Sequence, residues 1–554
     1  MSIKTNWLSP PRSIKGQDQL GSQAPCEMTY SQLLPGITNV TERARYFSFY
    51  TWVAWSFEHR LKSLGSDGYL EYYRRADCLF TLIAAHDAAE LGRVRPAERM
   101  VGRLKLVPAL NRLKEEGSLQ LSDYATLEDN GRRYFQNAMG GLGQYYAGPL
   151  MELGLCMRSS SGPWIQYSKV SGAHLAEALE KGLPSTDFWK AVEQDVITAD
   201  TLVKLQDFAP RRLKMGSPEH QRLLDIMLGK QQDAHASDFD AGSAERRKSL
   251  GLILYLAKET ASTADKSISE WGFRPAVYAK SLPGGAPWNV PGFLRETQTM
   301  WAIYERNDLL SIACQTIFST CLVALESEAG EGRSYDSVET FAGHYAVSTE
   351  MTAALALLEA LTFGALVERV RDSGPTIADV EDPQHEFQLE IQLHDGWNQE
   401  DDLPQSFVAR ALQLLATLAA REELFPTGYG NLAIGPTNLG AYPINLGSFR
   451  AQTSKWNAMN LSAVVADLIA WVMNTHLSVA LRKLSQTRTS SFHLRPTEYG
   501  LQVVGGIPGP ARTLPRLTQA IRILEDLGAL EEVGDDFLVK LSHLGVELLE
   551  KMLA

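Results

Sequence analysis

The chain has 554 residues, of which 44% are apolar and 21% charged, and it carries a net charge of −12. That length exceeds the roughly 250–300 residues at which one core stops growing, and the composition excludes a disordered chain. A global acidic balance argues against a protein coated in nucleic acid, while a local basic patch stays compatible with it.

The cysteines, Cys26, Cys78, Cys156, Cys314 and Cys321, are odd in number and form no C-x-x-C. That pattern fits a reducing compartment better than a disulfide scaffold. Cys314 and Cys321 fall on one helical face and read as core thiols. The opening MSIKTNWLSPPRSIKG lacks the apolar stretch of a secretory signal. The best candidate for a membrane span, 309–325, is short and carries Ser, Thr and Gln, so a buried core helix is expected instead. A cytoplasmic protein with no membrane partner follows as the expectation.

In chain order, residues 1–38 read as an irregular N-terminal arm. Pro35-Gly36 marks a turn, and Asn39-Val-Thr-Glu42 offers N-cap chemistry to the next helix. In that helix seven of the twelve residues from 46 to 57 are aromatic. A helix apolar all round is buried on most sides; its rings pack a core or stack bases, and this density favours the core. Another helix is expected over about 69–91. Then Arg93, Arg95, Arg99, Arg103, Lys105, Arg112 and Lys114 stand against one acid, Glu98. This basic cluster is either a phosphate-contacting surface or a solvated helix face paired with acidic neighbours. The glycines of GGLGQYYAG (140–148) miss the dinucleotide fingerprint, because Tyr146 takes the third glycine position; they read as a close helix approach or a turn. A first helical domain is drawn over 39–235.

After a polar linker (231–246), a second helical domain with a short strand region is expected over 245–424. The strand rests on alternation at 386–394. Phe387, Leu389, Ile391 and Leu393 share one face, and Glu386, Gln388, Glu390, Gln392 and His394 the other. Residues 425–489 read as a loop followed by a long connecting helix with Leu461, Val464, Leu468, Trp471 and Val472 on one stripe.

The last segment, 490–554, begins with a possible strand at 491–495. A helix follows, with Thr513 as N-cap, Pro515 in the first turn, and Leu517, Ile521, Leu524 and Leu527 as its stripe; Gly528 ends it. A hairpin around Gly534-Asp535-Asp536 and a final helix close the segment. Helix, glycine, hairpin, helix resembles winged-helix domains. The expected fold is thus mainly α: a multi-helical body with a small C-terminal winged-helix-like α+β module. By that resemblance Arg516, Thr518, Gln519 and Arg522 would face a DNA groove. Yet 490–554 holds six Lys/Arg against nine Asp/Glu, and the aspartates of the wing turn repel phosphate, so docking to a protein is preferred.

The sequence has no P-loop and no G-x-S-x-G elbow, and His385-Glu386 lacks the second histidine of a zinc protease. His86-Asp87 and His394-Asp395 lack the further ligands of a phosphohydrolase. Asp379, Glu390 and Gln392 resemble the metal-binding core of restriction-type nucleases, with Gln392 where a lysine is usual. No cofactor is implied. The block LLPGITNVTERARYFSFYTW (33–52) resembles uncharacterised bacterial proteins of anti-phage defence loci. That resemblance implies a bacterial defence component; with no catalytic motif in the chain, the expected role is a non-catalytic scaffold subunit of a defence or DNA-processing complex, with an ATPase, helicase or nuclease as protein partner and DNA or RNA as a further one. The alternatives are a metal-dependent nuclease using Asp379 and Glu390, and a winged-helix transcription regulator, against which the large helical body speaks.

Overall fold

The computed structural model describes residues 12–13, 18–60, 65–90, 100, 102–160, 162, 164–230, 240–264, 267–399, 403–425, 442–534 and 538–553. In chain order, β1 (Arg12–Ser13) precedes α1 (Ala24–Leu33), α2 (Arg45–Arg60), α3 (Gly65–Glu90) and α4 (Arg103–Glu116). Then follow β2 (Leu119–Gln120), α5 (Leu121–Ala125), α6 (Ala147–Glu152), β3 (Cys156–Arg158), β4 (Ile165–Tyr167), α7 (Ser171–Gly182) and α8 (Ser185–Gln194). β5 (Val196–Ile197), α9 (Ala199–Lys204), α10 (Pro218–Leu228), α11 (Ser243–Ala264) and α12 (Glu270–Ala279) lead to the longest helix, α13 (Arg295–Gly330). Next come α14 (Val338–Ala346), α15 (Thr349–Ala356), α16 (Phe363–Ser373), α17 (Glu386–Gln399), α18 (Pro404–Ala420), α19 (Leu446–Trp456) and α20 (Leu461–Thr487). The chain ends with β6 (Thr489–Ser490), β7 (Leu494–Thr497), β8 (Gly500–Val503), α21 (Leu517–Asp526), β9 (Leu530–Val533), β10 (Leu538–Leu541) and α22 (His543–Leu553). Among the described residues the strands form only two-stranded pairs, so the fold is mainly α, with a small α+β part at its C-terminal end.

Two compact units are present. The first comprises Met1–Tyr30, Arg274–Asn289 and Gln298–Pro515; the second comprises Ser31–Phe273, Val290–Thr297 and Arg516–Ala554.

In the first unit α13 is the core helix, and its apolar window is 94% buried. Leu309, Ile312, Cys314, Ile317, Phe318 and Cys321 lie inside, against α14, α18 and α20 residues such as Phe341, Leu412 and Leu468. Several of its buried polar side chains find an acceptor or donor. Thr316 and Thr320 donate to carbonyls one turn back, both at 2.8 Å, and Gln315 exchanges bonds with the Ala511 backbone at 3.0 and 3.1 Å. Burial pushes the Cys314 and Cys321 thiols up, as suits core thiols. α20 is also long and apolar enough to cross a membrane by length and composition, with 56% of its window buried.

The strand expected at 386–394 is instead the helix α17. The alternation misled because two glutamates point inward. Glu386, Leu389, Glu390 and Leu393 are buried at helical spacing, whereas Ile391 is exposed. Glu386 accepts from Arg421 at 3.0 Å, and Glu390 accepts from Arg512 at 2.6 Å. A pattern that treats every Glu as outward reads period 3.6 as period 2.

In the second unit the aromatic helix α2 packs a core, as expected. Phe49 stacks on Phe80 at 3.7 Å, and Trp52 meets Phe188, Trp189 and Phe208 at 5.3–5.5 Å between ring centroids. At its start Arg45 is buried and paired with Glu219 at 2.8 Å, and Ser48 donates to the same carboxylate. The C-terminal helix, hairpin and helix belong to this unit. Gly528 ends the helical turn with φ +68°, a conformation that costs glycine nothing. β9 and β10 pair antiparallel, and Val539 of β10 exchanges two backbone hydrogen bonds with Ile268, at 2.8 and 2.9 Å. The possible strand at 491–495 contributes to β7, which pairs with β8 in the first unit and not with this hairpin. Thr513 is not the cap of α21. Its hydroxyl donates to Asp308 at 2.7 Å, and the helix starts at Leu517 after Arg516 at φ 63°.

Candidate functional site

α4 carries the described part of the basic cluster. Gly102 precedes it at φ 91°, and Gly117 closes it at φ 78° with its N–H on the Leu113 carbonyl. Leu106, Ala109 and Leu113 are buried at i, i+3 and i+7 and pack this face inward. The rest of its surface carries Leu104, which is 88% exposed, and Val107, with Lys105 and Lys114 exposed on opposite flanks of the helix. Arg103 and Arg112 are half-buried, and Arg112 donates to the Tyr124 hydroxyl at 3.4 Å. Arg93, Arg95 and Arg99 lie outside the described residues.

α21 uses its polar side chains within the second unit. Arg516 donates to the Ile37 carbonyl at 2.8 Å, and Gln519 to that of Asn39 at 3.4 Å. Arg522 is buried and bonds Glu525 at 3.2 Å, while Thr518 donates to Glu270. The segment 37–39 therefore covers part of the face that the winged-helix resemblance would turn to DNA. Of the wing turn, Asp535 and Asp536 lie outside the described residues.

Asp379, Glu390 and Gln392 are engaged separately. Asp379 is fully exposed, and hydrogen bonds from the Thr376 hydroxyl and N–H hold its carboxyl below the usual range. Glu390 is buried on Arg512; burial pushes its carboxyl up, and Arg512 draws it back. Gln392 donates to the Pro383 carbonyl at 2.9 Å. Among the described residues, no group of three or more His, Cys, Asp or Glu is placed to hold a metal ion. Each His-Asp pair also has a local account. Asp87 takes Arg211 and Arg212 at 2.7 and 2.6 Å, and His394 bonds its neighbour Asp395 within α17.

Two arrangements have no motif in the sequence. Asp77 on α3 is wholly enclosed and accepts from the hydroxyls of Tyr50 and Tyr134 and from Gly141 N–H at 2.7 Å. Burial pushes its carboxyl up, and those bonds oppose the shift. The glycine-rich run serves this contact, since a Cβ at Gly140 would sit 2.6 Å from the Asp77 oxygen. The second arrangement is an open cleft of about 550 Å³ in the first unit, floored by Leu358 and Val370 and walled by Arg369, Asp382, Gln384 and Gln413. Its residues come from the turn after α15, from α16, from the segment before α17 and from α18, so no linear signal marks it.

No protein-family model, no curated protein and no solved structure matches this chain.

Proposed function

We propose that this chain is a non-catalytic subunit of a bacterial anti-phage defence or DNA-processing complex, a scaffold that binds protein partners and nucleic acid. The observation that carries this reading is the outer face of α4. It sets Lys105 next to an almost fully exposed Leu104, a mixture of cationic and apolar surface suited to docking, with Lys114 exposed nearly three turns further along the helix. The block 33–52 supports the bacterial defence setting by resemblance. The C-terminal module, completed by Ile268 and resting on α11, is read as winged-helix-type and as serving internal docking, because α21 spends Arg516, Gln519 and Arg522 on its own unit. The expected partner is an ATPase, helicase or nuclease whose activity the scaffold positions.

The test is affinity purification from the native host, with mass spectrometry of stoichiometric partners, beside DNA and RNA binding at low salt. Co-purification of such an enzyme, and salt-sensitive binding weakened by Lys105→Glu and Lys114→Glu, is the expected result. Magnesium-dependent plasmid cleavage by the purified chain alone, abolished in a folded Asp379→Ala variant, would overturn it.

A further inference from the structure

The cleft walled by Arg369, Asp382, Gln384 and Gln413 is of a size that small-ligand and side-chain pockets share. Its chemistry is that of an acceptor. Arg369, the one cation among its described lining residues, donates to the Leu358 carbonyl and pairs with Glu359 at 2.9 Å, which offsets part of its charge. Asp382 spends one acceptor position on the Gln384 N–H at 2.8 Å, and a carboxylate has several. Gln384 and Gln413 line it as well, and each amide has an oxygen that can accept. α16 ends at this wall, where Ser373 and Gly374 line the cleft, so the negative end of the helix dipole lies there too. The surrounding stretch reinforces the sign. From 357 to 384 the acids are Glu359, Glu368, Asp372, Asp379, Glu381 and Asp382, and the two bases, Arg369 and Arg371, are each paired with a glutamate.

Such a cleft stabilises a cation that donates hydrogen bonds, an ammonium or a guanidinium. At its mouth Leu357 is 79% exposed, which gives an apolar neighbour a place to rest. A lone amine would leave that surface in water; a polypeptide would not. We propose that the cleft receives the lysine or arginine side chain of an extended segment of a partner protein, with an apolar residue beside it on Leu357. The proposal rests on the reading of the chain as a partner-binding subunit and adds to it the chemical class of one partner segment.

The test uses the full chain and fluorescein-labelled peptides of sequence Gly-Leu-Lys-Leu-Gly, in a low-salt anisotropy titration. Parallel peptides carry acetyl-lysine or glutamate at the central position, and spermidine serves as competitor. The lysine peptide is expected to bind, and acetylation to weaken it about tenfold, as loss of one charge-assisted hydrogen bond would. Asp382→Asn keeps an acceptor for the Gln384 turn and is expected to weaken the lysine peptide to a similar degree. Glu359→Gln, which releases the charge of Arg369, is expected to weaken it several-fold. Equal binding of the lysine and acetyl-lysine peptides, or unchanged affinity in Asp382→Asn, overturns the proposal. Spermidine displacing the peptide at equal concentration overturns the polypeptide as its occupant. If an enzyme subunit co-purifies equally well with wild type and Asp382→Asn, the cleft assignment fails while the subunit reading stands. If the lysine peptide binds but no enzyme co-purifies, the reverse holds.

Discussion

The carboxylate of Asp526, at the C-terminal end of α21, accepts the Arg43 Nε–H and the Ala44 backbone N–H, both at 2.9 Å. A side chain near the end of the chain thereby accepts the N–H of the residue that precedes α2, where unsatisfied N–H groups and the positive end of the helix dipole favour an anion. It also fixes the point at which the aromatic helix enters its core. Asp526→Ala would leave the largely buried Arg43 guanidinium without its carboxylate, a change that costs up to about 3 kcal/mol, the lower end of the range for fully buried pairs. Urea denaturation of the variant should show a loss of this size, and Asp526→Asn, which still accepts from Ala44, a smaller one. A loss near zero for Asp526→Ala would mean that the pair contributes nothing to the folded unit.

Glu390 and Asp379 give opposite expectations. Glu390 lies buried on Arg512, which also reaches Asp395 at 3.5 Å, so Glu390→Ala removes the closer of two carboxylates and should lower stability by about 2 kcal/mol, the loss of a charge-assisted hydrogen bond. Asp379 is exposed and bonds only the Thr376 turn, so Asp379→Ala should shift the midpoint far less. A metal centre built on both would predict instead that divalent cations raise the wild-type melting temperature and that each variant loses the effect.

What could be read from the sequence follows from which signals are local. The aromatic run of α2, the uncharged stretch of α13 and the turn at Gly528 each carry their fate in neighbouring residues, and each stands where it was expected. α17 does not, because the inward course of Glu386 and Glu390 depends on Arg421 and Arg512, far along the chain. The C-terminal hairpin was legible as a hairpin, but its third partner, Ile268, comes from a distant segment with no strand pattern of its own. The engagement of Arg516 and Gln519 by the carbonyls of 37 and 39 has the same origin. Backbone acceptors leave no mark in a sequence, so a basic helix face reads as exposed until its neighbours are placed.

His476 of α20 makes stability depend on pH. Its Nδ1 bonds the Gln19 carbonyl at 3.1 Å, and its Nε2 accepts the His493 N–H at 3.0 Å, so only the neutral ring satisfies both. Burial first, then the neighbouring His493 and Lys483, bring its pKa down to about 4. The ring in the unfolded chain titrates near 6.5, so above that pH both states are neutral and the full contribution is present. Between 6.5 and 4 the unfolded chain gains a proton that the folded one refuses. Stability therefore falls as pH drops, by about 3 kcal/mol on reaching pH 4. Urea midpoints measured from pH 7 to 4 should show this decline, and His476→Gln should flatten it by one proton; an unchanged slope in the variant would assign the decline to other groups.

Leu104 and Leu106 stand two residues apart on α4 and separate docking from folding. Leu106 is wholly buried with Ala109 and Leu113, so Leu106→Ala should cost about 2–5 kcal/mol through lost burial and the cavity left behind. Leu104 is 88% exposed, so Leu104→Ser removes almost no buried surface and should leave the midpoint where it is. If the outer face of α4 docks a partner, that same substitution should weaken the complex although the chain remains folded. Together with Lys105→Glu it also separates the two kinds of occupant. An apolar anchor loses affinity with Leu104 at any salt concentration, whereas a phosphate contact loses it with Lys105, and mainly at low salt. Binding of a recovered partner measured at two ionic strengths distinguishes them, and wild-type affinity in both variants would remove α4 from the docking surface.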